Sequence, residues 1–118
     1  MVVGIDRFQG LVDMTKRHIE ADFGKPLSEL SNIRLLQADG WRGYSKLAPY
    51  DAIHVGAAAE SVPHTLVDQL KPGGRMIIPV GVDDQSLLLL IKQEDGSLVR
   101  EMICAVRYVP LVKGLASK

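Results

Sequence analysis

Residues 49–59 constrain the fold of this chain more than any other stretch. They contain an apolar run with one polar residue, His54, in its middle, flanked by Pro-Tyr-Asp at 49–51 and by the small residues Gly-Ala-Ala-Ala at 56–59. Such a run predicts a strand buried on both faces, as in the interior of a parallel sheet. Ligands of open α/β sheets bind beyond the carboxyl ends of these strands. The small residues are therefore expected to line one wall of a site.

The rest of the chain alternates strand and helix patterns. Strands are predicted at residues 2–5, 33–36, 50–55 and 75–80, and helices at residues 8–23 and from Ser61-Val62-Pro63 onward. Two further apolar runs, 85–93 and 98–108, flank the turn Glu94-Asp95-Gly96-Ser97, which predicts an antiparallel hairpin. The order β-α-β-β-α-β followed by a hairpin indicates an α/β fold. At 118 residues the chain is expected to form one domain.

Composition narrows the classes of partner. The 14 Lys and Arg residues balance the 14 Asp and Glu residues, so no charge excess indicates a nucleic acid or a membrane as partner. The longest purely apolar run, residues 87–91, is too short to cross a bilayer, and no signal sequence begins the chain. A cytoplasmic location is expected. The single cysteine, Cys104, is expected to be a small core residue, and no ligand cluster predicts a metal site.

Five segments together resemble the protein-L-isoaspartate (D-aspartate) O-methyltransferase family. Their order and spacing fit that family over nearly the whole chain, and the Asp-Ala-Ile-His-Val-Gly-Ala-Ala block is its most specific part. Pro-Gly-Gly alone is common among methyltransferases. The segments are Val-Val-Gly-Ile-Asp (2–6), Gln-Ala-Asp-Gly-Trp (37–41), residues 49–59, Leu-Lys-Pro-Gly-Gly-Arg-Met-Ile-Ile-Pro-Val-Gly (70–81) and Tyr-Val-Pro-Leu (108–111).

The resemblance implies a Rossmann-like, S-adenosylmethionine-dependent methyltransferase fold with a C-terminal antiparallel hairpin. It implies transfer of a methyl group from S-adenosylmethionine to the carboxylate of isoaspartyl residues in damaged proteins. Members of the family begin earlier, with a helical region and a strand that ends in a Gly-x-Gly-x-Gly loop. This chain resembles their C-terminal half, a partial methyltransferase domain at 1–118. The alternative is a non-catalytic fragment or interaction protein that keeps part of the fold. Half of a dehydrogenase is disfavoured, since no Gly-x-Gly-x-x-Gly turn occurs.

Four residues are candidates for binding the cofactor. Asp6 closes a strand and precedes a helix, where a carboxylate can accept hydrogen bonds from both ribose hydroxyls. The alternative for Asp6 is an N-cap of the helix that begins near Phe8, and one residue can serve both roles. The resemblance adds Arg7 and places Asp39 and Gly40 against the adenine, whereas composition alone makes Asp39-Gly40 a turn.

The candidates for binding the substrate are His54, Val55, Gly56, Ala57 and Ala58. A lone histidine among apolar residues is more often a core residue with satisfied hydrogen bonds than a ligand or a base. The small residues would let a peptide backbone approach, and their alternative is loop packing. No catalytic residue is predicted, because an acceptor carboxylate with a pKa of about 3.9 is already ionised at neutral pH.

The absent strand has a structural consequence. In the family's sheet it lies between the strand that ends at Asp6 and the strand at residues 50–55. These two strands are expected to pair directly, leave a gap or recruit another chain, so self-association through exposed strand edges is expected. Trp41 and Tyr44 are expected to be packing residues, and Pro72-Gly73-Gly74 a turn.

Overall fold

The computed structural model describes residues 1–116 and divides them between two compact units. Unit 1 contains Met1–Gly40 together with residues 113–116, and unit 2 contains Trp41–Val112. The order of strands and helices is the predicted one, including the terminal hairpin. Within residues 1–116, no helix combines the length and the apolarity needed to cross a membrane.

Unit 1 is a two-stranded parallel sheet with one helix. The chain runs through β1 (Val2–Asp6), α1 (Gln9–Phe23) and β2 (Ile33–Gln37), and the two strands pair in register. Gly24 ends α1 in the left-handed conformation at φ 65°, and its N–H donates to the carbonyl of Glu20. A glycine is suited to this position because it has no Cβ to strain.

Unit 2 is a four-stranded mixed sheet with one short helix. Its elements are β3 (Tyr50–His54), α2 (His64–Asp68), β4 (Leu70–Val80), β5 (Gln85–Lys92) and β6 (Leu98–Val106), and the strand order is β3-β4-β5-β6. β3 pairs with β4 in parallel, and the other pairs are antiparallel. The hairpin between β5 and β6 is closed by the N–H of Gln93 donating to the carbonyl of Ser97 at 2.8 Å.

The core of unit 2 lies between α2 and one face of the sheet. Alternate residues of β4 point inward, as the period of two in a strand requires. Trp41 packs against this core, as predicted, and its indole N–H donates to the carbonyl of Leu111 at 2.7 Å. The buried members are Val55, Ala59, Leu66, Val67, Leu70, Met76, Ile78 and Leu90.

The prediction that β3 is buried on both faces is wrong. Asp51, Ala52 and His54 are exposed, and β3 lies at an edge of its sheet with β4 as its partner. A run of apolar residues is buried only where other strands and helices cover it, and here one side of β3 is uncovered. The expectation that His54 is a core residue fails for the same reason.

The core assignment of Cys104 is also wrong, since this residue is exposed on β6. β6 is the other edge of the sheet, and nearly all of its side chains are exposed. Two local predictions also differ. The second helix begins at His64, with Pro63 as its N-cap. Residues 72–74 form an irregular part of β4, where the register to β3 shifts, rather than a turn before it.

Candidate functional site

The first group of candidate residues lies at the carboxyl ends of β1 and β2 in unit 1. Asp6 is half-buried, and its Oδ1 accepts a hydrogen bond of 2.9 Å from the backbone N–H of Phe8. Phe8, not Asp6, is the N-cap of α1. Within residues 1–116, Oδ2 of Asp6 has no hydrogen-bond donor. The carboxylate is thus oriented through one oxygen, and the other retains its capacity to accept a hydrogen bond.

Arg7 follows Asp6 and is bonded to neighbouring segments mainly through its backbone carbonyl. Its carbonyl accepts hydrogen bonds of 2.9 Å from the side-chain amide of Gln37 and from the N–H of Ala116. Its guanidinium carbon lies 4.9 Å from the ring centroid of Phe8, a cation–π contact. The side chain of Arg7 is therefore held beside the start of α1.

Asp39 and Gly40 continue from the carboxyl end of β2. The N–H of Ala38 donates to the carbonyl of Asp6 at 3.0 Å, which joins this loop to the end of β1. Oδ2 of Asp39 accepts a hydrogen bond of 3.0 Å from the N–H of Gly114. Gly40 is half-buried and opens a turn, as its composition predicted. The structure thus brings all four predicted cofactor residues to one end of unit 1.

Gln37 was missed as a member of this group. Its side-chain amide donates to the carbonyl of Arg7 and, at 2.8 Å, to the carbonyl of Ala116. It therefore holds Ala116 beside Arg7 at the carboxyl ends of β1 and β2. Its partner Ala116 is 79 residues away in sequence, so no local pattern signals this role.

The second group follows β3 in unit 2. His54 and Gly56 are exposed, Ala57 is half-buried, and Val55 and Ala58 are buried. A Cβ built on Gly56 would lie 3.8 Å from Cε1 of His54, so the imidazole flanks this backbone without crowding it. Within residues 1–116, the backbone groups of Gly56 and Ala57 form no hydrogen bonds, which leaves them available to a ligand.

Ala58 has a different environment. Its N–H donates to the carbonyl of Val109 at 2.7 Å, and its carbonyl accepts from the N–H of Leu111 at 2.8 Å. The neighbouring Ala59 donates to the carbonyl of Pro79 at 3.0 Å. Residues 58 and 59 thus form short bridges to segments on either side, and the packing interpretation is favoured for Ala58.

Two ionisable side-chain interactions lie near β3. Asp51 and Lys71 form an ion pair of 3.2 Å that is largely exposed, so it adds little stability. Burial of the Tyr50 phenol, followed by the nearby Tyr44, raises the pKa of Tyr50 above its ordinary value of 10.0. Tyr50 also donates its hydroxyl to the backbone carbonyl of Tyr44 at 2.5 Å, which ties this loop to the strand.

Comparison with known proteins identifies the family. The family model described as protein-L-isoaspartate(D-aspartate) O-methyltransferase matches residues 1–116. The chain belongs to this family. Protein-L-isoaspartate O-methyltransferase 2 of Arabidopsis thaliana is 48% identical over 110 residues, which is 93% of this chain and 36% of that protein. The protein-L-isoaspartate O-methyltransferase of Ectopseudomonas mendocina is 44% identical over 115 residues, 96% of this chain and 51% of that protein.

A solved structure shares the fold. A protein-L-isoaspartate O-methyltransferase from Plasmodium falciparum, in complex with S-adenosyl-L-homocysteine, has a TM-score of 0.84 and 30% identity. The match covers 96% of this chain and 53% of that one. The predicted Rossmann-like methyltransferase fold is confirmed. The chain spans about half, or less, of the length of the relatives it matches.

Proposed function

We propose that this chain carries the nucleoside-binding and acceptor-binding parts of an S-adenosylmethionine-dependent protein-L-isoaspartate O-methyltransferase. The reaction is transfer of a methyl group to the carboxylate of isoaspartyl residues in damaged proteins. The observation that carries this proposal is the Asp6 carboxylate, which lies at the carboxyl end of β1 with one oxygen oriented by Phe8 and the other without a donor among residues 1–116. A relative whose chain is twice as long is described as bound to S-adenosyl-L-homocysteine.

The cofactor role is assigned to unit 1. Asp6 would accept hydrogen bonds from the ribose hydroxyls, which suits an anionic acceptor with an open oxygen. Asp39 and Gly40 would lie against the adenine, and Arg7 would hold the start of α1 beside the nucleoside. Support comes from the bond of Ala38 to Asp6, which joins the loop before Asp39 to the end of β1, and from the bonds that tie Asp39 to Gly114 and Arg7 to Ala116.

The acceptor role is assigned to residues 54–58 of unit 2. His54 and Gly56 are exposed, and the free backbone groups of Gly56 and Ala57 can pair with an extended peptide. Val55 and Ala58 are buried and would support this surface from beneath.

The chemistry requires alignment rather than a general base. The cofactor supplies an activated methyl group, and the acceptor carboxylate is ionised at neutral pH with a pKa of about 3.9. Catalysis therefore rests on holding the acceptor in line and excluding water.

Two measurements test the proposal against the alternative of a non-catalytic fragment. Calorimetry with S-adenosylhomocysteine is expected to give saturable binding by the purified chain. Transfer of labelled methyl groups to an isoaspartyl peptide then decides between enzyme and fragment. Binding with transfer supports the proposal, and binding without transfer supports the fragment. A folded chain that binds neither the cofactor product nor the peptide contradicts the proposal.

We also propose self-association through the open edge of β3, in a chain located in the cytoplasm. The N–H of Val55 donates to the carbonyl of Ile77, so the backbone groups of Val55 and Ile53 face β4. Those of Ala52 and His54 therefore face away from β4. An antiparallel pair of copies centred on Ile53 would place Ala52 opposite His54 and satisfy these groups.

A further inference from the structure

Gln85, at the start of β5, is a buried polar residue that the proposed chemistry leaves without a role. It is only 7% exposed. Its Oε1 accepts the backbone N–H of Tyr108 at 2.7 Å, and its Nε2 donates to the carbonyls of Tyr108 at 3.1 Å and Val82 at 3.2 Å. The oxygen and the nitrogen of the side-chain amide thus both form hydrogen bonds. Two of the three bonds join Gln85 to the backbone of Tyr108.

Tyr108 begins the segment that packs against the acceptor-binding residues. Ala58 bonds to Val109 and Leu111 through its N–H and its carbonyl, in a parallel bridge. The far end of this segment is held by the indole of Trp41 on the carbonyl of Leu111. Residues 108–111 are therefore fixed at both ends by side chains, and Val109 and Leu111 hold Ala58 on one side, while Pro79 and Gly81 hold the adjacent Ala59.

Ala58 directly follows Gly56 and Ala57, whose backbone groups form no hydrogen bonds within residues 1–116. This short stretch is held at one end by the bond of Val55 to Ile77 and at the other by the bonds of Ala58, so the position of Ala58 influences how Gly56 and Ala57 present their N–H and carbonyl groups. A shift of residues 108–111 by one position would break both bonds to Ala58, because alternate backbone groups point to opposite sides, and would loosen the stretch that carries Gly56 and Ala57.

We propose that Gln85 is a positioning residue for the acceptor peptide. It acts through Tyr108 and Ala58, and it does not touch the peptide itself. The inference rests on the proposed function, since it assigns to residues 56–57 the binding of an isoaspartyl peptide by its backbone. The inference involves none of the proposed nucleoside-binding residues of unit 1.

The test compares Gln85→Leu with the wild-type chain and with Gln93→Leu, the same change at an exposed glutamine. Amide exchange is followed at Ala58, with Val55 as the internal reference for folding of β3 on β4. Affinities are measured for an isoaspartyl peptide and for S-adenosylhomocysteine. Gln85→Leu is expected to speed exchange at Ala58 and to weaken peptide binding by about tenfold, with nucleoside binding unchanged. Gln93→Leu is expected to match the wild type.

Gln85→Glu keeps the acceptor for the Tyr108 N–H and removes the donor to the two carbonyls. Gln85→Glu is the second variant, used if the amide of Val55 loses its protection from exchange in Gln85→Leu. Gln85→Glu is expected to show the same selective loss of peptide affinity. The inference is overturned if a variant with protected Val55 binds the peptide as the wild type does. It is equally overturned if peptide and nucleoside affinity fall together. If the wild-type chain binds no isoaspartyl peptide, the proposed function fails and this inference fails with it.

Discussion

The ammonium group of Lys92 in β5 lies 2.9 Å from the carbonyl oxygen of Leu70. The same group donates to the carbonyl of Val67 at 3.0 Å, so it caps the carboxyl end of α2 from a neighbouring strand. A cation at this end of a helix is favoured by the exposed carbonyls there. The long stem of the lysine allows its charge to reach both carbonyls.

Replacing Lys92 by Met is expected to destabilise unit 2 by about 1–3 kcal/mol, because two carbonyls lose a charged donor. Urea unfolding followed by the fluorescence of Trp41 measures this. Lys71→Met is the matched control. Its exposed pair with Asp51 is expected to contribute under about 1 kcal/mol. Equal effects of the two variants would contradict the capping role of Lys92.

Asp6→Asn is expected to weaken the binding of S-adenosylhomocysteine by about 10- to 100-fold, because it removes a charged acceptor at the proposed ribose site. Asparagine can still accept from the N–H of Phe8 through its carbonyl, so the start of α1 should persist. Calorimetry measures the affinity. Asp22→Asn makes the same charge change at an exposed residue of α1 and should leave the affinity for S-adenosylhomocysteine unaltered. An unchanged affinity in Asp6→Asn would remove Asp6 from the site.

Gly81→Ala is expected to cost more stability than Gly96→Ala. Both glycines have positive φ, at 130° and 88°. A Cβ at Gly81 would collide with the backbone of Asp84, whereas a Cβ at Gly96 would meet nothing within 4 Å. Conformational strain alone, about 1–2 kcal/mol, is therefore expected at Gly96, with a steric cost added at Gly81. Urea unfolding of the two variants checks the order, and the reverse order would contradict it.

Ala52→Pro is expected to reduce self-association without unfolding unit 2. The N–H of Ala52 faces away from β4, and proline is tolerated at such positions of an edge strand. Sedimentation velocity over a range of concentrations measures the oligomer. Ile53→Pro is the matched disruptive variant, because it removes a donor within the β3–β4 ladder and should lower stability. A wild-type chain that stays monomeric at all concentrations would contradict the proposal.

Unit 2 is expected to lose stability above about pH 10, where free tyrosine ionises. The pKa of Tyr50 is raised in the fold, so the folded state favours the neutral phenol. The stabilisation that the neutral Tyr50 phenol gives the folded state is present in full below the ordinary pKa of 10.0. It is lost as the pH rises through the raised pKa of the folded state. Tyr50→Phe should flatten this alkaline decline. An identical decline in that variant would assign the effect to other groups.

The order of elements was predictable from the sequence because periodicity and turn chemistry are local. The Asp95-Gly96 turn between two apolar runs was enough to predict the β5–β6 hairpin, and it is confirmed. The exposure of His54 and Cys104 was not predictable, since burial depends on which strands lie beside them. The roles of Gln37 and Gln85 were hidden for a similar reason. Gln85 bonds to a residue 23 positions away, and an isolated glutamine gives no pattern.

Unit 1 is assembled from two stretches that unit 2 separates in sequence, since Ala116, which Gln37 binds, lies 79 residues further along the chain. During synthesis residues 113–116 follow the whole of unit 2, so the carboxyl ends of β1 and β2 stay uncapped until unit 2 has been made. Unit 2, which is continuous in sequence, can form first. A proteolytic cut after Val112 would therefore remove part of unit 1 and leave unit 2 unbroken.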